Sequence, residues 1–306
     1  MQLGLIGLGK MGGNMRERLR RAGHDVVGFD RNPEVSDVKT LKALVARLEA
    51  PRVVWVMVPS GGPTRDTVTA LSQVLDKGDM VIDGGNSRYT DDIEHEKLLK
   101  AKGIGYLDCG VSGGTWGLEN GYGLMVGGTA TNVRKAMPIF DALRPEGPRD
   151  EGFVHAGKVG AGHYCKMVHN GIEYGLMQAY AEGFELLQRK DLVTDVPGAF
   201  KAWSRGTVVR SWLLDLMVDA LEANPNLDDV SDYTVDSGEG RWTVEEAIAL
   251  SVPMPVISAS LFARFASRQD VSPTMQAVAA LRGEFGGHQV MTIAEGVALR
   301  NPAPKD

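Results

Sequence analysis

The sequence predicts an α/β unit followed by an all-helical one. Three observations carry that reading. Short β-branched runs alternate with helical segments as far as about residue 155, the pattern of βαβ units around a mainly parallel sheet. Beyond that point strand signals stop and only helical patterns follow. Glycine is in excess, 38 in 306 residues, against a usual share of about 7%, and many of these glycines stand where strands end. A collagen-like chain is excluded, because the glycines keep no three-residue period.

Element by element, Leu3 to Ile6 reads as a strand and Met11 to Ala22 as a helix. Val26 to Phe29 is a second strand. Val53 to Val58 is an apolar run that ends in Pro59-Ser60-Gly61-Gly62-Pro63, a strand and its turn. Thr64 to Leu75 is a helix, and Met80 to Ile82 is a strand ending at Asp83-Gly84-Gly85-Asn86. Asp91 to Lys102 is a helix, Gly105 to Cys109 a strand, and Leu124 to Val126 one more. The remainder reads as helices over Gly160 to Gln188, Val196 to Trp203, Val209 to Ala223, Thr243 to Ser251, Pro255 to Phe265 and Met275 to Leu281. Pro225 and the polar run Asn226 to Ser231 break the middle. The expected division is 1–155 for the α/β domain and 156–306 for an all-helical substrate-binding and oligomerisation domain.

Composition narrows the class. Net charge is −6, so a nucleic-acid backbone finds no general attraction. The cluster Arg16, Arg18, Arg20 and Arg21 is expected to be the solvated face of an early helix. No apolar run reaches the 18 or so residues of a membrane span, and the N-terminus lacks the charged region of a signal peptide. Two cysteines, Cys109 and Cys165, are far apart and lack metal or redox spacing. A cytoplasmic protein with reduced thiols is expected.

Gly7-Leu8-Gly9-Lys10-Met11-Gly12 matches G-x-G-x-x-G. The motif alone is weak. Here it follows a strand, opens a helix, and a second strand ends about 20 residues on at Asp30, the context of a Rossmann-type dinucleotide site. Gly7 allows the tight turn, Gly9 the approach of backbone to pyrophosphate, and Gly12 the helix–strand contact; the helix N-terminus offers unpaired N–H groups. Asp30 suits the ribose hydroxyls of NAD and repels a 2′-phosphate. Arg31, next to it, keeps NADP open. Three further clusters end later strands: Val58-Pro59-Ser60-Gly61, Asp83-Gly84-Gly85-Asn86-Ser87 and Val111-Ser112-Gly113-Gly114-Thr115. Carboxyl ends of strands are where ligands bind in open α/β sheets. Val58, Pro59 and Asn86 are expected beside the cofactor.

In the long helix, Lys166, Asn170 and Glu173 stand at i, i+4 and i+7. At roughly 100° per residue they share one face within about 60°, with His169 on its flank. A solvated Lys–Glu face is the plain alternative. Gly162, Gly171 and Gly175, each costing roughly 1 kcal/mol in a helix interior, point instead to close packing. Lys, lowered by partial burial near other cations, suits removal of a hydroxyl proton; Glu, raised by burial, suits the acid.

At these residues the chain resembles 6-phosphogluconate dehydrogenases, within the β-hydroxyacid dehydrogenase superfamily. Gly7 to Gly12 and Ser112-Gly113-Gly114 carry the superfamily. Ile82 to Ser87, Lys166 to Tyr174, Arg205 to Ser211 and Phe285-Gly286-Gly287-His288 carry the narrower family. The resemblance implies oxidation of 6-phosphogluconate at C3 and decarboxylation to ribulose 5-phosphate, with no metal. It implies Lys166 as general base and Glu173 as acid. Asn86, Ser112, Gly113, Gly114, His169 and Asn170 become substrate contacts, and Tyr174 and Arg210 phosphate contacts. Arg282 and His288 match a late pair that reaches a neighbouring subunit, implying a homo-oligomer, dimer or tetramer. Three departures stand out. Asp30-Arg31-Asn32 is the NAD-preferring pattern. The chain is shorter than the family's long form. Ser237-Gly238-Glu239-Gly240-Arg241-Trp242 replaces a Lys-Gly-Thr-Gly-Lys-Trp phosphate segment, which leaves an unphosphorylated or different sugar acid open.

Overall fold

The computed structural model describes residues 1–286 and 289–300. Its first half is built as strand and helix in alternation: β1 (Gln2–Ile6), α1 (Lys10–Arg21), β2 (Asp25–Phe29), α2 (Leu41–Ala46), β3 (Val53–Val56), α3 (Gly62–Leu71), β4 (Met80–Asp83), α4 (Tyr89–Lys100), β5 (Gly105–Ser112), α5 (Gly117–Asn120), β6 (Gly123–Gly128), α6 (Ala130–Leu143) and β7 (Phe153–Gly157). The helices that follow are α7 (Ala161–Gln188), α8 (Val196–Trp203), α9 (Trp212–Ala223), α10 (Glu239–Ala249), α11 (Pro255–Ala266), α12 (Pro273–Gly286) and α13 (Ile293–Arg300). Among the described residues no strand follows Gly157.

The seven strands form one sheet in the order β2-β1-β3-β4-β5-β6-β7. The first five run parallel; β6 is antiparallel to β5, and β7 follows β6. Strand order reverses between β1 and β3, the switch point at which doubly wound sheets open a crevice. Burial on both faces explains why Val53-Val54-Trp55-Val56 reads as an unbroken apolar run. Period-two alternation sends Leu3, Leu5, Trp55, Ile82 and Leu107 to one face, against Met15 and Leu19 of α1 and Ile139 and Phe140 of α6. Ile6, Val54, Val56, Val81 and Tyr106 go to the other, against Leu44, Val68, Leu71 and Leu99.

Five elements escaped the sequence reading: α2, α5, α6, β7 and α13. Thr129 caps α6 by accepting from the Asn132 N–H at 3.2 Å, but Pro138 in its middle masks the helical pattern. The short α2 is capped in the same way by Thr40. β7 is only half buried at the sheet edge, so it lacks an apolar signature.

The basic cluster on α1 is not a free solvated face. Arg18 donates to the carbonyls of Ala142, Leu118 and Arg144 at 3.0 Å each, tying α1 to α5 and the end of α6. Arg20 reaches Asp37 at 2.6 Å, and Arg21 reaches Glu17 and Glu119 at 3.0 Å. Guanidinium groups so engaged have few donors left for another anion.

The chain forms two compact units that are not continuous in sequence. One holds Met1–Met177 with Gly238–Ile257; the other holds Gln178–Ser237 and the chain from Ser258 on. Residue 155 falls inside β7. The first unit takes in α10, which is pinned to it by Arg88–Glu245 and by the Tyr89 hydroxyl donating to Glu246, both at 2.7 Å. The second is centred on Phe184, Phe200, Leu214, Val218 and Leu221. Asp195 caps α8 and Ser211 caps α9, each accepting a backbone N–H at the third residue on.

Candidate active site on the sheet unit

At the first strand end, Gly7 has φ +90°, and a Cβ there would lie 2.4 Å from the Met57 carbonyl oxygen. A Cβ on Gly12 would fall 1.9 Å from the Gly7 carbonyl oxygen. Gly9 faces open space and heads α1 with no side-chain cap. The helix N-terminus therefore keeps unpaired N–H groups beside an open backbone, the arrangement that suits a pyrophosphate. Leu8 is buried behind the turn, while Lys10 is exposed and Met11 packs partly on the core. The Asp30 carboxylate accepts the Leu8 N–H at 2.6 Å and the Asn32 N–H at 2.8 Å. It thus fixes the glycine turn against the end of β2, and each oxygen retains a lone pair for a ribose hydroxyl. Arg31 is exposed. These residues fit a dinucleotide.

The other strand ends stand along the same edge. Val58 and Pro59 leave β3. After β4, the fully buried Asp83 accepts the Gly85 N–H at 3.0 Å and the Ser87 hydroxyl at 2.8 Å, closing a turn with Asn86 exposed at its tip. After β5, Gly113 and Gly114 take φ +141° and +54°.

Helix α7 is seated on β5 and β6 by its glycines and by theirs. A Cβ on Gly162 would come 2.4 Å from the Met125 carbonyl oxygen, and one on Gly110 would come 2.4 Å from Lys166 Cβ. The Asp108 carboxylate, fully buried on β5, accepts the Gly160 N–H at 2.7 Å and the His163 N–H at 3.0 Å. It serves the N-terminus of α7 as a capping side chain supplied from the sheet. Next to it, His163 Nδ1 lies 2.8 Å from Asp92, whose other oxygen accepts the Tyr106 hydroxyl at 2.8 Å. Burial works against the His163 charge, but the carboxylates of Asp92, Asp83 and Asp108 together outweigh it and carry His163 up to about 10, while burial raises Asp92 itself to about 7. Asp92, Asp108 and His163 lie close enough to hold an ion, as do Asp83, Asp92 and His95. Their oxygens are already engaged with N–H and O–H donors of the fold. Sequence spacing shows neither group, because β4, α4, β5 and α7 each contribute one or two members.

Lys166 therefore rises from α7 directly over Gly110. It is 9% exposed, and Nζ donates to Asn170 Oδ1 at 2.5 Å and lies 3.5 Å from His169 Nδ1. His169 Nε2 is 3.4 Å from Ser112 Oγ, and Nδ1 is 3.9 Å from Glu173. The structure thus brings Lys166, His169, Asn170, Glu173 and Ser112 together. Burial pushes the Lys166 ammonium below its usual range, and Glu173 and Glu239 partly oppose this. Of the two expected causes, burial is the one that acts; the charges that bear on Lys166 are carboxylates, not cations. Glu173 is half exposed, not buried as expected. The buried carboxyl is Glu239, 1% exposed and pushed up to about 7 by burial. Tyr174 is buried, with Gly240 against its ring. Arg210 and Arg282 are exposed on the second unit, and His288 lies outside the described residues. Gly110 was missed by sequence reasoning, visible only as one more glycine in a strand, and Glu239 was noticed only as a departure in the expected phosphate segment.

Residues 2–144 match the NAD-binding domain of 6-phosphogluconate dehydrogenase, and residues 162–295 match its C-terminal domain. The chain belongs to the 6-phosphogluconate dehydrogenase family. An NAD(+)-dependent, decarboxylating 6-phosphogluconate dehydrogenase of Haloferax volcanii is 43% identical over 95% of this chain and 98% of its own length. The enzyme of that description from Bacillus subtilis is 35% identical over 87% of this chain, which spans only 61% of it. The Plasmodium falciparum 6-phosphogluconate dehydrogenase, solved apo, with NADP+ and with 6-phosphogluconate, superposes with a TM-score of 0.80. It shares 28% identity over 96% of this chain and 66% of its own. As a 6-phosphogluconate dehydrogenase family member with an NAD-binding domain, the chain is an oxidoreductase. No helix among the described residues is long and apolar enough to cross a membrane.

Proposed function

We propose that the chain oxidises 6-phosphogluconate with NAD and decarboxylates the product to ribulose 5-phosphate. The observation that carries this reading is the Lys166 amine: buried, lowered in basicity, oriented by Asn170 and placed beside the strand ends. NAD, held by the Gly7 to Gly12 turn and Asp30, would supply the acceptor for the C3 hydride. Lys166 takes the C3 hydroxyl proton as that hydride leaves. The ammonium then hydrogen-bonds the C3 ketone oxygen and stabilises the enolate formed as CO₂ departs, the β-ketone being the electron sink. Glu173, 3.9 Å from His169, protonates the carbon that has lost CO₂, which becomes C1 of ribulose 5-phosphate. Asn86, Ser112, Gly113, Gly114, His169 and Asn170 hold the sugar acid; Tyr174 and Arg210 hold its phosphate, with Arg282 and His288 completing the site from a neighbouring copy. Asp30 supports NAD over NADP. The same reading takes residues 1–155 as the dinucleotide domain and the remainder as the helical domain.

A homo-oligomer is part of this reading, supported by Phe262, Met275 and Leu281, which expose 59%, 60% and 67% of their surface. Light scattering of an active monomer would overturn it. The free thiols of Cys109 and Cys165 support a cytoplasmic setting. The function itself is tested with 6-phosphogluconate, gluconate and 3-hydroxyisobutyrate, each with NAD and NADP, by following reduced cofactor and released CO₂. No NADH from 6-phosphogluconate would sink it. Turnover of gluconate instead would favour the second reading, which the Ser237 to Trp242 segment leaves open.

A further inference from the structure

The first turn of α10 crosses α7 beside the candidate base, and glycines set how closely. A Cβ on Gly171 would lie 2.8 Å from Thr243 Cγ2, and one on Gly240 would lie 2.5 Å from Tyr174 Cε2. The buried Thr243 hydroxyl stands 2.9 Å from the Met167 carbonyl oxygen and 2.8 Å from that of Glu239. Contacts at Met167, Gly171 and Tyr174 follow an i, i+4, i+7 row, one position round from Lys166, Asn170 and Glu173. Glu239 enters this contact as the first residue of α10, and its carboxyl is 1% exposed.

Two polar atoms are buried there without a hydrogen-bond partner, Glu239 Oε2 and His163 Nε2. A buried carboxyl oxygen left without a partner is costly, so its place in a well-packed contact calls for a role. Lys166 and His163 are the cations that bear on Glu239. Those bearing on Lys166 are Glu173 and Glu239, with His169 3.5 Å from its Nζ. His163 answers in turn to Asp92, Asp83 and Asp108.

We propose that Glu239 is the electrostatic partner of Lys166 across the α7–α10 contact, a positioning residue whose charge decides how readily that amine gives up its proton. With Glu239 neutral, burial favours the free amine that accepts a hydroxyl proton. With Glu239 ionised, the ammonium is held, as the decarboxylation step requires. This rests on the reading of Lys166 as the base. It also removes Glu239 from the phosphate segment: a carboxyl enclosed in a helix contact is not presented to a phosphate.

The test is the titration of Lys166 itself, followed by NMR of protein carrying [ε-¹³C]lysine, with the Lys166 line assigned by its loss in Lys166→Arg. In the unaltered protein the line should show a second inflection near pH 7, where Glu239 ionises. In Glu239→Gln that inflection should vanish and the Lys166 midpoint should fall by roughly one pH unit. The acid limb of kcat/KM should move down with it. A single-step Lys166 curve in the unaltered protein overturns the proposal, whether or not the variant folds; so does an unmoved midpoint in a folded variant. A two-step curve in a protein that does not turn over 6-phosphogluconate would sink the substrate reading and leave the pairing intact.

Discussion

Gly110→Ala adds one methyl group at the point where α7 meets the sheet. In the present backbone that carbon would sit 2.4 Å from Lys166 Cβ and 2.9 Å from the Gly162 carbonyl oxygen. Neither is the far end of a flexible chain, so the conflict is relieved only by moving helix from strand. Ordinary contact starts near 3.4 Å, which requires a shift of about 1 Å. Overpacking of this kind costs about 1–3 kcal/mol. The functional loss is expected to be larger than the loss of stability, because the displaced residue is the base. A misplacement of about 1 Å costs roughly a hundredfold in rate. Urea unfolding should therefore show a modest fall in midpoint, and NADH production from 6-phosphogluconate should drop by about two orders of magnitude, mainly in kcat. Unaltered kinetics in a folded Gly110→Ala protein would show that Lys166 does not stand over β5 in the way that makes it the base.

Lys166→Ala should lower turnover roughly a thousandfold or more while NAD binding, measured by fluorescence quenching, stays intact; residual activity within tenfold would reassign the base. Asp30→Asn removes the charge that repels a 2′-phosphate but keeps an acceptor for the Leu8 N–H. The ratio of NADP to NAD turnover should rise by roughly tenfold or more, with Arg31 free to meet the phosphate, and an unchanged ratio would move the discriminating charge elsewhere. His163 is carried up to about 10 and burial raises its partner Asp92 to about 7, so both take up protons on folding and stability is lost as pH rises from the unfolded carboxyl value near 3.8 to about 10, the His163 part between 6.5 and 10. Thermal unfolding of His163→Asn should lack this alkaline decline; a decline of the same size would assign it to other groups.

Much of the sheet was legible because parallel strands buried on both faces write themselves as apolar runs, as in Val53 to Val56. The dinucleotide turn was legible for a different reason: Gly7 and Gly12 stand where no other side chain fits, so the physics leaves one residue type. What stayed hidden is set by distant parts of the chain. Helix α6 hides behind Pro138 although its cap is in plain view at Thr129. The buried group of Asp92, Asp108 and His163 exists only once α4, β5 and α7 are packed together. The alternation of elements could not show that α10 returns to the sheet unit, since Thr243 and Glu246 look like any residues of a surface helix until Met167 and Tyr89 are set against them.

That return changes what the glycines of α7 mean. Each was a cost of roughly 1 kcal/mol in a helix interior, and the cost had no object in the sequence. Gly162 now lets the helix down onto β5 and β6, and Gly171 lets Thr243 of α10 down onto the helix from another side. Lys166 lies between these two contacts, its stem over Gly110 and a buried carboxyl across from it. A solvated Lys–Glu face would need neither glycine. The same packing that costs helical stability excludes water from the amine, and exclusion of water is what lowers its basicity. Substituting Gly171 with Ala should therefore raise the pH at which Lys166 loses its proton, because lifting α10 readmits solvent; a midpoint that stays put would separate the helix contact from the chemistry.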